Sequence, residues 1–112
     1  MRLDLLAEQI GAEAITPTPS VEIDRVVAGG SISDLLAQAT PAVVLVTTLS
    51  SAALPRVARL MDAPALCLVR GAAASPELVQ AAREHGTALL VSPFGMAETC
   101  SRLSECLKRV AP

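Results

Sequence analysis

Tryptophan and tyrosine are absent from this 112-residue chain, and Phe94 is its single aromatic side chain. That leaves little for stacking on bases or sugars, and it leaves the core to be built from alanine, leucine and valine. A basic excess is missing too, since 9 Lys and Arg stand against 11 Asp and Glu for a formal charge of −2. Phosphate-driven binding to nucleic acid needs a basic face, so that class of partner is not expected. No apolar run approaches the roughly 18 residues that cross a bilayer. The longest are 42–46 and 63–69, and Pro64 interrupts the second, so no membrane partner is expected either. The opening Met1-Arg2-Leu3-Asp4 lacks the basic-then-apolar order of a signal peptide. Cys67, Cys100 and Cys106 are odd in number and lie among apolar residues, which suits reduced thiols in a cytoplasmic protein.

Catalytic signatures are missing as well. Neither Gly-x-Gly-x-x-Gly nor the Gly-Lys-Ser/Thr end of a P-loop occurs. His85 is the only histidine and stands before a helix-stopping Gly86, where an imidazolium suits the helix dipole. Cys100 and Cys106 are six apart, on different sides of a helix, so structural zinc is not expected. No cofactor, metal or catalytic residue is assigned.

What is present is a regular alternation of elements. The apolar fraction is 52%, and a chain of this length buries roughly two thirds of its unfolded surface as one domain, residues 1–112. Leu3, Leu6, Ala7 and Ile10 share a helical face that Gly11 ends. Residues 12–16 read as a strand, and Thr16-Pro17-Thr18-Pro19-Ser20 as a stiff connector. Residues 21–28 alternate like a strand, and 33–38 form a short helical turn. Val43–Thr47 is continuously apolar, as befits a strand covered on both faces. A helix over 51–61 follows, with Pro55 tolerated near its first turn. Strand 65–69 leads to a helix capped by Ser75, opened by Pro76, favoured by Glu77 and stopped at Gly86. Ala88–Val91 is another buried strand, and the last helix runs from about Gly95 to Val110. Along that helix Met96, Cys100, Leu103, Leu107 and Val110 form an apolar stripe, read as a core face. The expectation is an α/β fold: a single three-layer domain with a mostly parallel sheet flanked by helices, joined by right-handed crossovers. The irregular N-terminal part adds strands on one edge.

Two features carry the site reading. One is the stretch from Asp24-Arg25 through Gly29-Gly30 to Ser31, Ser33 and Asp34, where a glycine pair gives backbone access and Ser33 or Asp34 caps the next turn. The other is the set of residues just past the parallel strands: Thr47 and Thr48, Arg70 and Gly71, and Ser92. Ligands of open α/β sheets bind at that edge, and Arg70 has the donor fork for a phosphate or carboxylate. The sharper reading is a small anionic ligand, such as a nucleotide, held by Gly29, Gly30, Ser31, Asp34, Thr47, Arg70 and Ser92. The plainer one makes the threonines and serines helix caps, Arg70 a solvated loop residue and the glycines a tight corner.

Asp24-Arg25, the short strand, Gly29-Gly30 and Ser33-Asp34-Leu35-Leu36 resemble the DRTGG domain. So do Leu66-Cys67-Leu68-Val69-Arg70-Gly71, Pro76-Glu77-Leu78, Ala81-Ala82, His85-Gly86, Leu89-Leu90-Val91-Ser92 and Arg102-Leu103. This second half is also similar to the amino-terminal domain of HPr kinase/phosphorylase, without its P-loop and therefore without its activity. The resemblance covers about 3–107. It departs at the threonine of the family's name, since Val27 and Ala28 precede the glycines here. It implies an α/β domain found alone or fused to phosphotransacetylases and CBS-domain pyrophosphatases, serving regulation or oligomerisation. The expected function is thus a non-catalytic ligand-sensing or oligomerisation module, a homodimer with a possible further protein partner. The alternative is a small phosphate- or nucleotide-handling enzyme using the strand-end loops.

Overall fold

Spacing at the chain start already dictates what is buried. Leu3, Leu6, Ala7 and Ile10 all face inward along α1 (Leu3–Ile10), and Gly11 ends it at φ 71, where a side chain would be strained. A computed structural model describes residues 1–29, 33, 35, 37, 42–48, 54 and 63–110. Its strands are β1 (Glu13–Ala14), β2 (Arg25–Gly29), β3 (Val43–Thr47), β4 (Ala65–Leu68) and β5 (Ala88–Val91). Two further helices are α2 (Pro76–Glu84) and α3 (Met96–Val110). The five strands form one sheet in the order β1-β5-β4-β3-β2, parallel throughout except for β1 against β5.

Three buried parallel strands were expected, and β3, β4 and β5 are buried at every position. The N-terminal part departs from expectation in an instructive way. It supplies both sheet edges and not one, with β2 joining as a fourth parallel strand and β1 closing the far side. The strand expected over 12–16 shrinks to two residues. Pro17 and Pro19 have no N–H for a ladder, and the Thr16 side chain takes over the pairing. Its hydroxyl donates to the Thr87 carbonyl at 2.9 Å and accepts from the Leu89 N–H at 2.8 Å. The strand expected from 21 starts at Arg25 because the preceding residues pair with the chain start. Leu3 N–H donates to the Val21 carbonyl at 3.0 Å, and Ile23 N–H to that of Met1 at 2.8 Å.

Period-two alternation along the strands sorts the core into two faces. Val44, Val46, Ala65, Cys67, Ala88 and Leu90 meet the buried side chains of α1 and α3. Val43, Leu45, Leu66, Leu68, Leu89 and Val91 meet Leu78, Ala81 and Ala82 of α2, together with Leu35 and Leu54. The result is three layers. Ser75 caps α2 as expected, its hydroxyl accepting from the Leu78 N–H at 3.2 Å. The helices expected over 33–38 and 51–61 lie mostly outside the described residues; Ser33, Leu35, Ala37 and Leu54 are helical. Among the described residues, Leu5 on α1 is the one large apolar side chain left exposed. No helix among them is long and apolar enough to cross a membrane.

Candidate functional site

Register carries the strand ends into one row. Glu13 pairs with Val91, Val91 with Leu68, Leu68 with Thr47, and Thr47 with Gly29. The four parallel strands therefore finish level, and the residues that follow them gather beyond a single edge of the sheet.

Beyond β4 the chain turns abruptly. Arg70 and Gly71 take successive left-handed conformations, φ 57 and 63. Glycine adopts this region freely, whereas arginine sets its Cβ against the following carbonyl. Among the described residues Arg70 is the one non-glycine with positive φ. Backbone bonds hold the turn in place. Arg70 N–H donates to the Phe94 carbonyl at 2.7 Å, Gly71 N–H to that of Ser92 at 2.8 Å, and Ala72 N–H to that of Val69 at 3.1 Å. Strain kept by such over-determined surroundings concentrates at functional sites. The Arg70 side chain is exposed. Its guanidinium passes over Gly95, where an added Cβ would stand 3.6 Å from Nη2.

Thr47, Thr48, Leu68, Val69, Arg70 and Ala72 line a cavity of about 290 Å³ beside this turn. Thr47 and Arg70, expected together from the sequence, thus share a wall, with Thr47 buried and Thr48 exposed. Gly29 is buried next to Thr47 at the end of β2. Gly30, Ser31 and Asp34 lie outside the described residues. Ser92 follows β5 and is fully buried, with its hydroxyl 2.8 Å from that of Thr99 and accepting from the Phe94 N–H at 3.2 Å. It therefore braces the loop whose Phe94 carbonyl holds Arg70. The Arg102 guanidinium lies 3.9 Å over the Phe94 ring and pairs with Glu98 at 2.7 Å, fixing the same loop from outside.

Two participants escaped the sequence reading. Thr99 had a legible signal, being a polar residue on the apolar stripe of α3, three after Met96 and four before Leu103. A second cavity of about 350 Å³, lined in part by Glu13 and residues 71–74, had none. Two of the three cysteines are shifted away from the reactive thiolate. Burial, then the neighbouring Cys100, pushes the Cys67 thiol up to about 12, against a smaller lowering from the Ser92 backbone, and burial raises Cys100 too.

Neither a family model nor a curated protein sequence matches the chain. A solved structure does: the CBS and DRTGG domains of the regulatory region of Clostridium perfringens pyrophosphatase, complexed with the activator diadenosine tetraphosphate. The TM-score is 0.72 at 16% identity, over 91% of this chain and 45% of that one. The fold is DRTGG-like. This DRTGG-like domain spans less than half the length of the matched chain, and at that identity the likeness is one of architecture.

Proposed function

We propose that this DRTGG-like domain is a non-catalytic regulatory module that senses a small anionic ligand at the level strand ends. Arg70 supplies the charge, and the Thr47–Thr48 side of the cavity supplies hydroxyls. Gly29, buried beside Thr47 at the end of β2, bounds the site on that side. Ser92 serves by bracing the loop that fixes Arg70. The observation that carries this reading is the strained backbone of Arg70 at the mouth of a cavity it shares with Thr47. A solvated loop arginine has no need of such a conformation, and glycine would fill it at lower cost. The raised thiols of Cys67 and Cys100 favour a binding role over nucleophilic catalysis. The regulatory region named in the structural neighbour, crystallised with a nucleotide activator, supports the same class of role.

Thermal unfolding with ATP, acetyl phosphate and inorganic phosphate tests the proposal. At least one of these anions raises the midpoint of the native protein, and Arg70→Ala abolishes the rise. If no anion stabilises the native protein, or the rise survives Arg70→Ala undiminished, the plainer structural reading of this edge stands.

A further inference from the structure

The loop of residues 70–74 separates two cavities, and Ala72 lines both. On one side stand Arg70 and the threonines. On the other, a cavity of about 350 Å³ is lined by residues 71–74, Ile15, Val91 and Pro93, with Glu13 as its one charged side chain. Resting on the anion site just described, we propose that this second cavity is the other half of the same site. It takes the uncharged, amine-bearing ring of a nucleoside polyphosphate whose phosphates reach Arg70.

Three observations converge on that ligand class. One wall of the second cavity is built of small residues, Gly71 and the alanines at 72, 73 and 74, which carry nothing beyond a Cβ. A planar ring fits there without aromatic partners, between those small residues and the apolar surface of Ile15, Val91 and Pro93. The charges are of opposite sign on the two sides. The Glu13 carboxylate only accepts hydrogen bonds, so it repels a phosphate and suits an exocyclic amine, while Arg70 does the reverse. The spacing is set by the sheet. Glu13 and Thr47, in the linings of the two cavities, occupy the same register row with β5 and β4 between them, hence about 14 Å apart at three inter-strand spacings, and Arg70 follows β4 within that span. That is the reach of a nucleoside polyphosphate from ring amine to terminal phosphate, and too long for a simple oxyanion. Each cavity alone is at the low end of the range for small-molecule sites, about 300–1,000 Å³, and the two together fall well within it.

Calorimetric titrations with ATP, inosine triphosphate and inorganic tripolyphosphate test this on the native protein, Glu13→Ala, Ala73→Phe and Arg70→Ala. Residue 73 is exposed, so the phenylalanine fills the cavity without entering the core. The native protein binds ATP at least about tenfold more tightly than tripolyphosphate, and Ala73→Phe removes that advantage while leaving tripolyphosphate binding unchanged. Inosine triphosphate, which has a carbonyl in place of the amine, binds native protein more weakly than ATP, and Glu13→Ala erases the difference. Equal binding of ATP and tripolyphosphate by the native protein, or unimpaired ATP binding by Ala73→Phe, overturns the ring subsite and leaves the anion site standing. Absence of binding by every ligand, or binding indifferent to Arg70→Ala, overturns the anion site and this proposal with it.

Discussion

Cys67 and Arg70 are three positions apart, one sealed in the core cluster that β4 shares with α1 and α3, the other in solvent at the sheet edge. For Cys67 the surroundings act on the proton. Its thiol is raised from 9.0 to about 12, chiefly by burial. The native state therefore keeps a proton that the unfolded chain loses, and stability falls as pH rises. The contribution is whole below pH 9 and declines between 9.0 and about 12, at up to about 1.4 kcal/mol per pH unit. Cys100, raised by burial, adds to the decline with the same sign. Urea denaturation across that window is expected to show a shallower alkaline loss for Cys67→Ala than for the native protein, whatever the variant's stability at neutral pH. An unchanged slope would contradict the assignment to Cys67. For Arg70 the surroundings act on the backbone, and a residue pattern gives no warning of it. Arg70-Gly71 reads as an ordinary turn in which the glycine alone would need positive φ.

At the scale of elements, one side chain stands in for strand. The Thr16 hydroxyl ties the proline-rich connector to β5 by bonding the Thr87 carbonyl and the Leu89 N–H, all in a buried setting. Thr16→Val preserves shape and removes both partners, so denaturation is expected to report a loss of about 1–3 kcal/mol. A change below about 0.5 kcal/mol, the range of an ordinary surface substitution, would show that the clamp is not needed. The elements most legible in the sequence were those decided locally. Residues 43–46 of β3 and the whole of β5 are unbroken apolar runs because both sheet faces are covered, and Ser75-Pro76 and Gly86 punctuate α2 through capping chemistry. What escaped was decided at long range. β2 is half-exposed at an edge, and its placement beside β3 depends on register with residues far along the chain. β1 is too short to carry a pattern. Of the site, Thr47 and Arg70 were legible from their position past buried strands. Thr99 left a signal as a polar residue on the apolar stripe of α3, whereas Glu13 and the small-residue wall left none, since only the assembled sheet brings them to the same edge.

Across the whole molecule, stability and the proposed binding role are drawn from different places. Helices on both faces of the sheet bury its central strands completely, while the strained turn and the two cavities lie at one end, on the margin of that core, where Leu68 and Val91 belong to both. Such a division lets the edge carry strain that the core sustains. The central claim is that Arg70 holds an unfavourable backbone conformation for the sake of an anion. It is tested most directly by comparing native protein with Arg70→Gly in urea denaturation, with and without saturating ATP. Without ATP the account predicts that Arg70→Gly is the more stable by about 1 kcal/mol, because glycine adopts the left-handed turn freely. With ATP it predicts that only the native protein gains stability, narrowing or reversing the gap. A glycine variant no more stable than native protein, or one that gains as much from ATP, would contradict it.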